Sequence, residues 1–145
     1  MSGRVLIVDD DPDDAEMLER FLAGEATAIR KVTNSELVEG AFQEFGPDIV
    51  LLDLHMPDPD GFEILRRLRR PRGSLGFLPV IVLTGDAGRA ARGSALALGA
   101  DDFLTKPLDR MEVLLRVRNL LRTRQLYADL ANANEALERK LRKGS

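Results

Sequence analysis

The residues of this 145-residue chain that could do chemistry are mostly carboxylates, and they are bunched. Asp9, Asp10, Asp11, Asp13 and Asp14 follow an apolar run, Val5–Val8, and Asp53 closes a second run that begins at Ile49. Thr84 ends a third run, and Lys106 with Pro107 follows a fourth. Several carboxylates brought together without a cation repel one another and raise one another's pKa. A hard dication held by oxygen ligands resolves that conflict, and Mg2+, which keeps some of its waters, suits such a set. An aspartate nucleophile, the metal, the Lys106 ammonium and the Thr84 hydroxyl together describe a pocket for a phosphoryl group. With no Cys, the chain has no thiolate metal site, no disulfide and no cysteine nucleophile, and its one His, His55, makes no zinc site.

These residues can act together only if the elements carrying them converge. Five short runs rich in Val, Ile and Leu read as strands: Arg4–Val8, about Ala28–Val32, Asp48–Asp53, Pro79–Thr84 and Asp101–Thr105. Three are continuously apolar, as parallel strands buried on both faces require. Amphipathic helical patterns fall between them at about 12–23, 35–45, 61–70 and 88–98. Met17, Leu18, Phe21 and Leu22 line the first helix, and Leu37, Val38, Ala41, Phe42 and Phe45 the second. Pro12 suits a first helical turn, Asn34 or Ser35 can cap the second helix, and Gly46-Pro47 and Gly99 stop helices two and four. The alternation predicts an α/β fold, a doubly wound five-stranded parallel sheet, whose ligands bind at the carboxyl ends of the strands.

Composition agrees with one domain. The hydrophobic share is 44% and the charged share 31%, which excludes a wholly disordered or collagen-like chain. No leader or spanning segment is visible in the sequence, so a cytoplasmic protein is expected. The formal net charge of −3 divides unevenly, with 19 acids and 12 bases up to residue 107 and 5 acids and 9 bases after it. The basic residues of the tail are interleaved with Leu at helical spacing, which reads as a solvated helix face and gives no ground for nucleic-acid binding.

The chain resembles the receiver domain of two-component response regulators. The matching text is Val-Leu-Ile-Val-Asp9-Asp10-Asp11-Pro12, Asp53-Leu-His-Met-Pro57-Asp-Pro-Asp60-Gly61, Leu83-Thr84-Gly85 and Gly99-Ala-Asp-Asp-Phe103-Leu-Thr-Lys106-Pro107. It covers residues 4–120 or so, with four motifs in order. The resemblance implies the flavodoxin-like (βα)5 fold and makes Asp53 the acceptor of a phosphoryl group from a histidine kinase or phosphotransfer protein. Asp10 and Asp53 would ligate Mg2+, Asp9 would help directly or through water, and the His55 backbone carbonyl would complete the set. Lys106 would pair with the carboxylate or phosphoryl oxygens, through a cis Lys106-Pro107 peptide. Thr84 and Phe103 would switch conformation and remodel the face formed by the fourth helix, the fifth strand and the last helix. Such a module is not a conventional enzyme, although it catalyses its own phosphorylation and slow dephosphorylation.

Other readings compete at several positions. Asp11, Asp13 and Asp14 suit the N-terminal end of a helix dipole rather than a metal. Asp58 and Asp60 read as loop and cap residues, Asp101 and Asp102 as turn residues, and the His55 ring as solvent-facing. Arg66, Arg67, Arg69, Arg70 and Arg72 form a basic run read as a solvated helix face, since no aromatic interrupts it. Gly85 leaves access to the pocket open, and Asp86, two beyond Thr84, can influence attack by water. A phosphatase of the haloacid-dehalogenase type would take its Asp-x-Asp from Asp9 to Asp11 and spare Asp53. The length, the Asp53–Gly61 motif and Lys106-Pro107 count against it. A pseudo-receiver that is never phosphorylated is disfavoured by the complete set Asp9, Asp10, Asp53, Thr84 and Lys106.

From Asp109 to about Lys143 there is neither Pro nor Gly, which predicts one long helix. A heptad runs from Leu120, with Leu120, Tyr127, Asn134 and Leu141 at a and Thr123, Leu130 and Leu137 at d. Leu at d with a single Asn at a suits a two-stranded parallel coiled coil. Residues 1–120 would then be the receiver domain and 121–145 a helical extension. That extension would join two copies as a homodimer and lead toward an effector beyond this sequence.

Overall fold

In the computed structural model, residues 3–69, 77–85 and 88–144 are described. They form β1 (Arg4–Val8), α1 (Pro12–Leu22), β2 (Ala28–Val32), a 3-10 turn at Ser35–Leu37, α2 (Val38–Phe45) and β3 (Ile49–Asp53). Then follow α3 (Gly61–Leu68), β4 (Val80–Thr84), α4 (Gly88–Ala97), β5 (Asp102–Thr105) and α5 (Arg110–Lys143). All pairings are parallel and the five strands lie in the order β2-β1-β3-β4-β5. The chain thus has the flavodoxin-like α/β fold that its sequence predicts.

Alternation along each strand divides the core into two layers. Val5, Ile7, Ile49, Leu51, Ile81, Leu83 and Leu104 pack with α1 and α5 through Leu18, Leu22, Val113 and Val117. Leu6, Val8, Val50, Leu52, Val80 and Val82 point the other way, toward α2, α3 and α4. Side chains of period two placed between two helical layers give the uninterrupted apolar runs of β1, β3 and β4, since both faces need hydrophobic residues. The helix ends follow the sequence as well. Pro12 opens α1, and Asp11 caps it by accepting from the Asp13 amide at 2.9 Å. Gly46 and Gly99 take the left-handed φ values of 61° and 104° that end α2 and α4 cheaply.

Some local expectations fail for tertiary reasons. Leu37 is exposed, because its segment begins as a 3-10 turn capped by Asn34 and turns that side chain outward. Ser35 is buried instead and donates its hydroxyl to the Pro57 carbonyl at 3.2 Å. Asp102 is a strand residue bonded to Arg116 of α5 at 2.8 Å. Asp101 accepts from the Val80 amide at 2.7 Å and pairs with Arg69, so neither aspartate is a simple turn residue. Arg69 is no solvated side chain: its guanidinium also donates to the carbonyls of Leu78 and Gly99, at 2.6 and 2.8 Å. It clasps the end of α3 to the approaches of β4 and β5. Arg66 and Arg67 do stay on the helix surface, paired with Glu63. Arg70, Arg72 and Asp86 lie outside the described residues.

Helix α5 begins at the Asp109 cap and buries Val113, Leu114, Val117 and Leu121 against the sheet. Farther along, Arg124 pairs with Asp48 at 3.2 Å, and the ring of Tyr127, an a position in the heptad, stacks on Phe77 with centroids 5.0 Å apart. Beyond that contact Leu130, Leu137 and Leu141 are exposed. At 34 residues the helix is about 50 Å long, so its last part extends past the sheet it packs on.

Candidate functional site

The carboxyl ends of β1, β3, β4 and β5 meet along one edge of the sheet, and each delivers a residue to it. Asp9 follows β1, Asp53 ends β3, Thr84 ends β4 and Lys106 follows β5. Adjacent parallel strands in register bring these ends level, with Asp53 opposite Leu83 and Thr84 opposite Thr105. Asp9, Asp53 and Thr84 are buried polar residues in an otherwise apolar core. Ligating oxygens of Asp9, Asp10 and Asp53 all lie within 4.8 Å of one another. Asp10 is exposed, at the mouth of the group.

Lys106 is the cation that answers them. Its Nζ reaches Asp9 Oδ2 at 2.9 Å, Asp14 Oδ2 at 2.8 Å and Asp53 Oδ2 at 3.5 Å. Burial alone would lower its pKa, but the hydrogen bonds it donates to Asp14 and Asp9 outweigh burial and hold the ammonium well above its usual range. Asp53 is pushed up from 3.8 to about 6, first by burial and then by the neighbouring Asp9, while the His55 amide and Lys106 pull it down. That amide donates to Asp53 Oδ1 at 3.0 Å, and the Asp11 amide does the same for Asp9 Oδ1 at 3.0 Å. The His55 ring is exposed, as expected. The Lys106-Pro107 peptide is cis, as the resemblance implies, and so is Asp58-Pro59.

One ammonium faces four carboxylates among the described residues, those of Asp9, Asp10, Asp14 and Asp53. The excess negative charge, the all-oxygen donors and the buried positions of Asp9 and Asp53 fit a hard dication such as Mg2+.

The loop after β3 is held by a close approach. A Cβ at Gly61 would lie 2.5 Å from Leu54 Cα and press on the Asp53 carbonyl oxygen. Only glycine lets α3 start against the strand end that bears Asp53, and Asp60 caps the helix there by accepting from the Glu63 amide at 2.9 Å.

The structure brings together Asp9, Asp10, Asp53 and Lys106, as the sequence predicts. Thr84 is buried at the same edge with its hydroxyl turned to the Gly85 carbonyl at 3.2 Å. Phe103 lies one strand over, half-buried. Sequence reasoning missed Asp14 as a partner of Lys106. The available signal was its place on the third residue of a helix starting at Pro12, but a helix dipole already accounts for an acid there.

The family model described as "Response regulator receiver domain" matches residues 5–118. The chain is similar to the regulatory protein VanRc of Enterococcus gallinarum, with 32% identity over 127 residues, 88% of this chain and 53% of that protein. It is also similar to the response regulator PleD of Caulobacter vibrioides, 36% identical over 141 residues, 97% of this chain and 31% of that one. It therefore spans about half, or less, of the length of these curated relatives. Among solved structures, the receiver domain of the Francisella response regulator 1452 superposes with a TM-score of 0.73 at 26% identity, over 83% of this chain and 98% of that one.

Proposed function

The chain belongs to the response regulator receiver domain family, and on that premise we propose that it is a phosphorylation-controlled switch with Asp53 as phospho-acceptor. The observation that carries the reading is the convergence of Asp53 with Asp9, Asp10 and Lys106 at one strand edge. Receiver domains are signalling modules rather than conventional enzymes. The donor would be the phosphohistidine of a sensor kinase or phosphotransfer protein.

An Asp53 carboxylate oxygen attacks phosphorus, the new O–P bond forms as the N–P bond to the donor breaks, and the donor imidazole leaves with the electron pair and takes up a proton. Without metal, burial raises the Asp53 pKa to about 6, and Mg2+ would favour the ionised, nucleophilic form. Mg2+ held by Asp9, Asp10, Asp53 and the His55 carbonyl would neutralise the phosphoryl oxygens during transfer. Lys106 keeps its charge throughout and pairs with a phosphoryl oxygen after transfer. The Thr84 hydroxyl turns from the Gly85 carbonyl to that group, and Phe103 follows into the space vacated. Slow hydrolysis of the acyl phosphate by water resets the switch.

Residues 1–120 act as the receiver in this account, and the extension 121–145 carries the output, pairing between two copies beyond its contacts with its own domain at Leu121, Arg124 and Tyr127. Exposed Leu130, Leu137 and Leu141 at heptad spacing support a second copy as the occupant of that stripe. The cytoplasm is the expected setting, and no helix among the described residues is long and apolar enough to cross a membrane.

Beryllofluoride, which mimics a phosphoryl group on aspartate, tests the reading. With Mg2+ it should move the amide resonances of Asp53, Thr84, Phe103 and Lys106, and Asp53→Asn should abolish the change. A wild-type spectrum that does not move would overturn it.

A further inference from the structure

A cation sits on the face of Phe103 in this structure. The Arg92 guanidinium carbon of α4 lies 4.6 Å from the centre of the Phe103 ring. The same guanidinium donates through Nη2 to the Thr105 hydroxyl at 2.6 Å. Phe103 and Thr105 are two apart on β5, so they share one face of the sheet, the face on which α4 packs. Thr105 pairs in register with Thr84 on β4, and the Lys106 amide donates to the Thr84 carbonyl at 2.8 Å. One side chain of α4 is thereby bound to the switch aromatic and to the strand end carrying Thr84 and Lys106. The third guanidinium nitrogen, Nε, is buried without a hydrogen-bond partner among the described residues. A buried donor left unpaired is costly, so the pose is held by less than the full strength of its stacking and hydrogen bond, and release returns that donor to water.

We propose that Arg92 is a positioning residue that holds Phe103 in its resting pose, and that activation requires the guanidinium to leave the ring. The inference rests on the receiver reading above and deepens it. The Thr84 hydroxyl, turned to its own neighbour's carbonyl, marks the resting arrangement. An agent that binds only the switched state must work against the Arg92 contacts, so its apparent affinity is lowered by the fraction of molecules in which they are broken. Stacking of a cation on a ring and one hydrogen bond together correspond to roughly a tenfold change in that fraction.

The test is a beryllofluoride titration at fixed Mg2+ on the full chain, followed by NMR, for wild type, Arg92→Ala, Arg92→Lys and Phe103→Leu. A thermal melt beside each titration establishes folding. Arg92→Ala should bind roughly tenfold more tightly than wild type, and Arg92→Lys should fall between them, since an ammonium stacks less well on a ring. In the Phe103→Leu background, Arg92→Ala should lose most of its effect, because the two residues act as a pair. The Arg92 Nε–H resonance of wild type should carry a ring-current shift that disappears on titration. Equal or weaker binding by Arg92→Ala, or an undiminished effect without the ring, would overturn the inference and leave the receiver reading intact. No binding by wild type would remove that reading, and this inference with it.

Discussion

At the scale of single residues, the site is governed by an imbalance of charge. Asp9 and Asp53 are buried beside one another, and Lys106 divides itself among Asp9, Asp14 and Asp53. In metal-free protein the Asp53 pKa is raised to about 6 from 3.8. The folded chain therefore holds this proton more tightly than the unfolded chain does. The stability it contributes is complete below about pH 4 and is lost as the pH rises through about 6. Asp53→Asn removes the titration and leaves Lys106 its two shorter bonds. In EDTA the variant should melt roughly 3–5 °C above wild type at pH 8 and close to it at pH 4. A gap of equal size at both pH values would exclude ionisation of Asp53 as the cause. Lys106→Ala should keep the secondary structure seen by circular dichroism but weaken beryllofluoride binding by about a hundredfold, since it removes the fixed positive charge facing the anion. Unchanged binding in that variant would take Lys106 out of the mechanism.

At the scale of elements, strands deliver the site and two short-range devices keep it in place. The first is Gly61, where added bulk would strike the backbone of Asp53 and Leu54. Gly61→Ala should cost about 2–4 kcal/mol in chemical denaturation, and it should slow phosphorylation more than Gly40→Ala, which meets open space. The second is the Arg69 clasp, which joins α3 to Leu78, Gly99 and Asp101. Replacing Arg69 with Ala strands a half-buried Asp101 and should cost about 2–3 kcal/mol, whereas Arg66→Ala, on the helix surface, should cost less than about 0.5 kcal/mol. Equal costs in urea melts would contradict the distinction. The sequence distinguishes these elements unevenly. Runs such as Val80–Leu83 announce a strand covered on both faces, and Pro12, Gly46 and Gly99 announce helix ends, because those signals are local. Nothing local separates Arg69 from Arg66, since what differs is the far-off carbonyls that meet one guanidinium and miss the other. The pairings of Asp101 with Arg69 and of Asp102 with Arg116 are hidden for the same reason. At the site, motif residues were legible because strand ends converge in a parallel sheet, while Asp14 and Arg92 act through contacts made only after folding.

At the scale of the whole molecule, the receiver fold and its last helix pull in two directions. Tyr127 is stacked on Phe77 and Arg124 paired with Asp48, which ties the first part of the extension to its own domain. The leucines beyond Tyr127 are exposed, and in the proposed dimer they would face another copy. Cutting the chain after Arg122 should abolish any dimer seen by analytical ultracentrifugation without loss of the fold, and an unchanged mass ratio would remove the coiled coil from the account. Output by the last helix depends on a prior step, phosphorylation of one aspartate. The most direct measurement is the intact mass of the protein after incubation with phosphoramidate, in Mg2+ or in EDTA, beside Asp53→Asn. The account predicts a single phosphoryl adduct that needs Mg2+ and is missing from the variant. No adduct in wild type, or one that survives in Asp53→Asn, would contradict it.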